Sequence, residues 1–205
     1  GYIVPSALGY VENDMPRMVM TPWYDEPIPF NMAAEIGTKK VITEHSTIGL
    51  VVTTDGSISD IPREEYEEAE ERVISELKEI NKPFIVLLNS TYPNAEETLS
   101  LANSMQKKYE VPVLPVNCLE LEEGEIRTIL SKILFEFPVK EIKVDMPHWV
   151  SSLEKEHWLR ASLYTTIQQA AGKITRIREI ESVVKEVTTC EYVAFAKTST
   201  VDLGT

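Results

Sequence analysis

The sequence is short of the residues that metal, redox and nucleic-acid chemistry require. Its two cysteines, Cys118 and Cys190, stand far apart with no Cys-x-x-Cys spacing, which excludes a disulfide framework and a zinc ribbon and favours a reducing compartment; both read as packing residues. The three histidines, His45, His148 and His157, form no cluster, so no metal site is expected, and they read as surface or capping residues. Lys and Arg number 20 against 33 Asp and Glu, giving a net charge of −13. That balance lacks the clustered cations that a nucleic-acid backbone or an anionic lipid surface demands, so no nucleic-acid partner is expected. No run approaches the roughly 20 apolar residues of a membrane span, and no charged-then-apolar leader opens the chain, so a soluble protein is expected. The phosphate-binding pattern Gly-x-x-x-x-Gly-Lys-Ser/Thr occurs nowhere.

What is present is a globular composition. A chain of 205 residues with 43% hydrophobic content buries a substantial core and suits one domain plus part of another. It begins at Gly1 without a methionine and stops at Leu203-Gly204-Thr205, so it reads as a fragment. Residues 1–30 hold Pro16, Pro22, Pro27 and Pro29 without a sustained period, which predicts a long ordered loop. A short helix is expected from Asn31, as N-cap, to about Glu44. The β-branched run Thr47–Thr53 then predicts a central strand.

From Pro62 the three- and four-residue spacing of Tyr66, Ala69, Val73, Leu77 and Ile80 predicts a helix. Its other face carries Glu64, Glu65, Glu67, Glu68, Glu70 and Glu71, read as a solvated face that suits the helix dipole rather than as a docking surface. Phe84–Asn89 predicts a second buried strand, about Ala95–Tyr109 a helix with Leu99, Ala102 and Met105 inward, and Val113–Asn117 a third strand. Pro115 places that strand near a sheet edge. Ile126, Ile129, Leu130, Ile133, Leu134 and Phe137 mark another amphipathic helix. Alternation of strand and helix predicts an α/β fold with a mostly parallel sheet and helices on both faces.

Pro138 interrupts this order, and Val139–Met146 alternates as a half-exposed strand or linker does. The domain boundary is therefore drawn in this stretch, giving a first domain over 1–138 and the start of a smaller α+β domain over 139–205. There Leu163, Ile167, Ala170, Ile174, Ile177 and Val184 predict one long docked helix, followed by a strand at Tyr192–Ala196. Dimerisation through this stripe is the functional alternative, weakened by Gly172 and Glu181. Trp149 and Trp158 are read as buried packing across a helix start.

In open parallel sheets, ligands bind beyond the carboxyl ends of the strands. Three strand ends deliver Thr53-Thr-Asp-Gly56, Asn89-Ser90 and Asn117-Cys118 to one rim, an arrangement that suits a purine nucleotide. Guanine-specific P-loop proteins carry Asn-Lys-x-Asp on the middle element, and the Asp reads the guanine edge. Here the stretch is Asn89-Ser90-Thr91-Tyr92. Without the acid the discrimination against other bases is lost and adenine becomes admissible. On residue type alone, capping the turn after its strand is the simpler role for Asn89.

Several stretches carry a family resemblance: Thr21-Pro-Trp-Tyr24, Glu26-Pro-Ile-Pro-Phe30, Ala33-Ala-Glu-Ile-Gly37, Glu44-His-Ser-Thr-Ile-Gly49, Thr53-Thr-Asp-Gly56 and His157-Trp-Leu-Arg160. With these the chain resembles the stage IV sporulation protein A family, spore-coat morphogenetic ATPases related to the translation-factor P-loop GTPases. The resemblance implies a P-loop GTPase-like fold and a parent protein that binds ATP with Mg²⁺ and hydrolyses it. It also implies polymerisation into the basement layer of the spore coat, on the mother-cell side of the outer forespore membrane. The partners it implies are further copies of the protein, a small amphipathic anchor peptide (stage V sporulation protein M) and other coat proteins. Carried over residue by residue, the nucleotide-binding positions are Gly1, from an Asp-x-x-Gly turn whose Asp is not in the chain, Asn89 and Ser90 on the base-side loop, and Asn117 and Cys118 on the last rim loop. No catalytic residue is assigned. With the phosphate loop, its lysine and the magnesium-binding aspartate all missing from these 205 residues, this piece is expected to hold no nucleotide and hydrolyse none. The alternative is a structural module, a pseudo-ATPase that recruits coat proteins without catalysis.

Overall fold

A computed structural model describes residues 3–202. The chain divides into two compact units, Gly1–Ile133 and Leu134–Thr205.

The first unit opens with two hairpins where a loop was expected. Strands β1 (Val11–Glu12) and β2 (Met15–Pro16) pair antiparallel. Their two-residue turn places Asn13 and Asp14 at φ 52 and 58, the left-handed pair that matches the twist of a tight hairpin and that Asn and Asp tolerate. Strands β3 (Met18–Thr21) and β4 (Tyr24–Pro29) pair antiparallel around Pro22 and Trp23. Prolines 27 and 29 fit β4 because a two-stranded ribbon leaves each strand one side without ladder bonds. Helix α1 (Phe30–Lys40) follows and runs on as a π-helical turn, Val41–His45. Its N-cap is Pro29 rather than Asn31. The Phe30 amide donates to the Arg17 carbonyl at 2.8 Å, which satisfies one of the four N–H groups a helix start leaves free.

Three parallel strands form the main sheet in the order β5 (Gly49–Thr54), β6 (Phe84–Asn89) and β7 (Val113–Val116). Helices α2 (Glu64–Glu79), α3 (Glu96–Tyr109) and α4 (Glu123–Phe135) alternate with the strands. The fold is therefore α/β with a parallel sheet flanked by helices, as the alternation predicts. The expectation that the first of these strands is central is corrected: among the described strands β6 is the middle one and β5 lies at the edge. Pro115 sits in β7, the other outer strand, where its missing donor is harmless.

The core explains why β6 is the middle strand. Phe84, Ile85, Val86, Leu87 and Leu88 are all buried; successive side chains point to opposite faces, so both faces of this strand are covered. Phe84, Val86 and Leu88 pack with Ile74 and Leu77 of α2 and Ala102, Met105 and Tyr109 of α3. Each Val, Leu, Ile, Phe or Met among them contributes roughly 1.5–3 kcal/mol on full burial. Leu99, expected inward, is instead half-exposed, and Thr98 is buried in its stead.

One member of the acidic face of α2 is not solvated. Glu70 is buried and accepts two hydrogen bonds from Arg63, at 2.7 and 2.8 Å, and one from the Tyr109 hydroxyl at 2.7 Å. Arg63 also donates to Thr53 Oγ1 at 3.1 Å. This network joins the start of α2 to the carboxyl end of β5 and to the end of α3. Burial pushes the Glu70 carboxyl up, but Arg63, together with the neighbouring Thr53 and Tyr109 hydroxyls, outweighs it and holds Glu70 below the usual carboxylate range. Burial and the Glu70 carboxylate push the Tyr109 phenol up.

The second unit departs most from expectation. The expected long helix is two: α6 (Trp158–Ala171) and α7 (Ile180–Val187), preceded by the short α5 (His148–Ser152). Gly172 ends α6, and the chain then extends so that Arg176 bridges Pro138. The Val139 amide bonds the Thr175 carbonyl at 2.9 Å and the Ile177 amide the Phe137 carbonyl at 3.1 Å, bonds that a continuous helix would forgo. Residues 192–196 form no strand. Trp149 and Trp158 are exposed rather than buried, and Trp158 meets Tyr192 edge-on at 5.3 Å. His157 caps α6, its Nδ1 accepting from the Leu159 amide at 3.2 Å. Glu136, fully buried, lies between Arg176 and Arg178, each at 3.1 Å.

Removing one partner of the Arg63–Glu70 pair strands a buried charge, so Glu70→Ala is expected to cost about 3–5 kcal/mol, and the double change Arg63→Met/Glu70→Leu distinctly less; chemical denaturation of the three proteins checks this. Because the folded-state pKa of Glu70 lies below its unfolded value, its contribution is present above the unfolded pKa and lost as pH falls through the folded one. Acid unfolding of the Glu70→Gln variant should accordingly be less steep with pH than that of the parent.

Candidate functional site

The carboxyl ends of β5, β6 and β7 are parallel and in register, Thr54 beside Asn89 and Asn89 beside Val116, so the loops that follow emerge side by side. After β5, Asp55 organises its loop: Oδ1 accepts from the Ser57 amide at 3.0 Å and the Ser57 hydroxyl at 2.6 Å, and Oδ2 from Thr98 Oγ1 at 3.3 Å. Burial pushes the Asp55 carboxyl up, but the hydrogen bonds from Ser57, Ser90 and Thr98 hold it lower than an ordinary aspartate. The turn passes Gly56 at φ +90, where an added Cβ would stand 3.2 Å from the Arg63 backbone nitrogen; glycine is required there on both counts.

Ser57 carries the connection onward. Its hydroxyl accepts from the Thr91 amide at 2.9 Å, and its carbonyl accepts from Thr91 Oγ1 at 3.1 Å. The loop after β6 is thereby tied to the loop after β5. Ser90 is fully buried; its amide donates to the Val116 carbonyl at 2.9 Å and its hydroxyl accepts from the Tyr92 amide at 3.0 Å. Asn89 reaches the other way, its Oδ1 accepting from the Cys118 amide at 2.9 Å. Asn117 acts within its own loop, its Oδ1 accepting from the Leu119 amide and its Nδ2 donating to Glu120 Oε2, both at 3.1 Å. Burial pushes the Cys118 thiol up, so it is not an activated nucleophile.

Of the five residues assigned to nucleotide binding, Gly1 lies outside the described residues. The other four are brought together: Asn89 touches Cys118, and the neighbouring Ser90 and Asn117 hold the two loops. What sequence reading missed is the structural use of these side chains and the joining role of Asp55, Ser57, Thr91 and Thr98. The Asp-Gly pair at 55–56 was a usable signal, because an Asp two residues before a hydroxyl or amide builds a local turn. A shallow depression of about 500 Å³ lies elsewhere, along α3 and the turn before it, between Asn94, Leu99, Asn103 and Lys107; it includes none of the five.

At the rim the side-chain carbonyls of Asn89 and Asn117 are engaged by loop amides, and Tyr92 and Leu119 are exposed. Among the described residues no group of three His, Cys, Asp or Glu is placed to hold a metal ion, and the sequence has no glycine-rich phosphate loop. The residues present therefore do not fit Mg²⁺ and a triphosphate by themselves.

Parallel strands with linked loops at their carboxyl rim place the chain among the open α/β proteins, whose ligand sites lie at that rim. It belongs to the stage IV sporulation protein A family: the model of that protein's ATPase domain matches residues 1–138 and the model of its middle domain residues 139–205. Its whole length aligns with stage IV sporulation protein A of Bacillus anthracis and of Bacillus subtilis (strain 168), each 47% identical, and of Clostridioides difficile (strain 630), 48% identical. The chain spans 42% of the length of each of these relatives. No solved structure matches it.

The Asn89–Cys118 bond yields a graded prediction. Asn89→Ala should cost about 1 kcal/mol, the worth of one net hydrogen bond, whereas Asn89→Asp, which keeps the acceptor, should cost less. Thermal denaturation ranks the two; equal losses would mean that the bond holds nothing together.

Proposed function

We propose that this chain supplies the base-side half of an ATP site, together with the start of a middle domain, in a spore-coat morphogenetic ATPase. In this reading Asn89, Ser90, Asn117 and Cys118 form the rim that receives the adenine. Mg²⁺ and the triphosphate are held by residues of the parent protein outside these 205, as is Gly1's Asp-x-x-Gly partner. ATP hydrolysis in the parent drives self-association into the coat's basement layer. The protein works on the mother-cell side of the outer forespore membrane, with a small amphipathic anchor peptide, stage V sporulation protein M, and further coat proteins as partners. One observation carries the reading: an ATPase-domain match covers the stretch whose strand-end loops are tied into one rim by Asn89 and Ser57. The net charge of −13 disfavours direct contact with anionic lipid, and among the described residues no helix is long and apolar enough to cross a membrane.

A second reading, a scaffold without catalysis, is favoured by the fact that Asn89 and Asn117 spend their side-chain carbonyls on loop amides. Turnover decides between them. With Mg-ATP the parent protein is expected to bind at micromolar concentration and release phosphate, and the isolated 205-residue chain to release none. A parent that binds ATP without hydrolysing it would establish the scaffold reading, and phosphate release by the isolated chain at the parent's rate would contradict the division of the site proposed here.

A further inference from the structure

The two most exposed apolar side chains of the rim are unexplained by the bonds that hold it together. Tyr92 is 70% exposed and Leu119 is 92% exposed. Their backbones are not loose. The Tyr92 amide is fixed by Ser90 Oγ at 3.0 Å and its carbonyl by the Ala95 amide at 3.0 Å, with Pro93 between. The Leu119 amide is fixed by Asn117 Oδ1 at 3.1 Å, and the next amide, of Glu120, by the Asn117 carbonyl at 3.1 Å. The two loops are joined through Asn89 and Cys118. A large aromatic and a branched aliphatic side chain are thus held at fixed positions, facing water, on two loops that are tied to each other.

Resting on the function proposed above, we propose that Tyr92, with Leu119 on the neighbouring loop, is the stacking surface for the nucleotide base. Tyr92 occupies the position at which a guanine reader carries its acid. The replacement exchanges a hydrogen-bonding reader for a flat π-surface. Stacking on an aromatic ring is tolerant of base identity, because every base has a π-face, whereas a carboxylate selects. Two rigid loops suit this role, since a preordered platform loses little entropy when a base settles on it. Stacking uses the ring and not the hydroxyl, so Tyr92→Phe is the conservative variant.

The test uses the full-length parent protein, its Tyr92→Ala and Tyr92→Phe variants, and three probes in the presence of Mg²⁺: ATP, GTP and inorganic tripolyphosphate. Tyr92→Ala is expected to weaken ATP and GTP by a similar factor, about 5- to 150-fold, the span found when base-stacking aromatics are truncated. Tripolyphosphate binding should be unchanged, and Tyr92→Phe should bind all three as the parent does. Unaltered ATP affinity in Tyr92→Ala overturns the inference and leaves the proposed function standing. A change in the ATP-to-GTP ratio also overturns it, since that would make Tyr92 a hydrogen-bonding reader. Loss of tripolyphosphate binding along with the nucleotides would mean general disruption and equally overturns it. A wild-type parent that binds no nucleotide would bring down the proposed function itself.

Discussion

The hydrogen bond from the Cys118 amide to the Asn89 side chain is the constraint on which the site depends. Parallel strands deliver their following loops to one edge of a sheet, but delivery alone leaves those loops free to move independently. Here a single side-chain carbonyl at the end of the middle strand reaches the loop of the next strand, and Ser57 and Thr91 close the opposite gap with two bonds of 2.9 and 3.1 Å. Three loops become one surface. Each bond is worth on the order of 1 kcal/mol, and the Asn89 bond is the one that carries the tie on to the loop after β7.

That surface is anchored in turn to the core. Arg63 spans from Thr53, one residue before the end of β5, to the buried carboxylate of Glu70, which also receives the Tyr109 hydroxyl. An ion pair this far from water repays its desolvation only when its oxygens are fully used, and the Glu70 carboxylate accepts three hydrogen bonds. The arrangement fixes the start of α2, and so the Gly56 turn and Asp55, relative to the buried β6. Stability at the core and geometry at the rim are therefore the same property, read at two places. The second unit has its own buried acid, Glu136, held by Arg176 and Arg178.

Much of this was legible in the sequence, and the failures share a cause. Phe84–Asn89, α2 and α3 announce themselves because their periods are set by burial on both sides or on one stripe. The hairpins before residue 30 were missed because prolines dominate the reading there, although Asn13-Asp14 between short pairable segments was a turn signal of the tightest kind. Glu70 was misread as solvated because periodicity reports a face and not the reach of an arginine seven residues earlier. The stripe from Leu163 to Val184 was read as one helix, since the spacing survives the interruption at Gly172 that the pairing of Arg176 with Pro138 imposes. At the rim, residue types and strand ends located Asn89, Ser90, Asn117 and Cys118, while their use as loop ties is a matter of three-dimensional distance that no spacing encodes.

The central claim is that this tied rim, and not another surface, meets the base of the nucleotide. Amide hydrogen exchange of the full-length protein with and without Mg-ATP tests it directly. The account predicts slowed exchange at residues 89–92 and 117–120 together, because a base resting on either loop stiffens both through the Asn89 link. Protection that leaves both stretches unchanged while ATP is bound would contradict it.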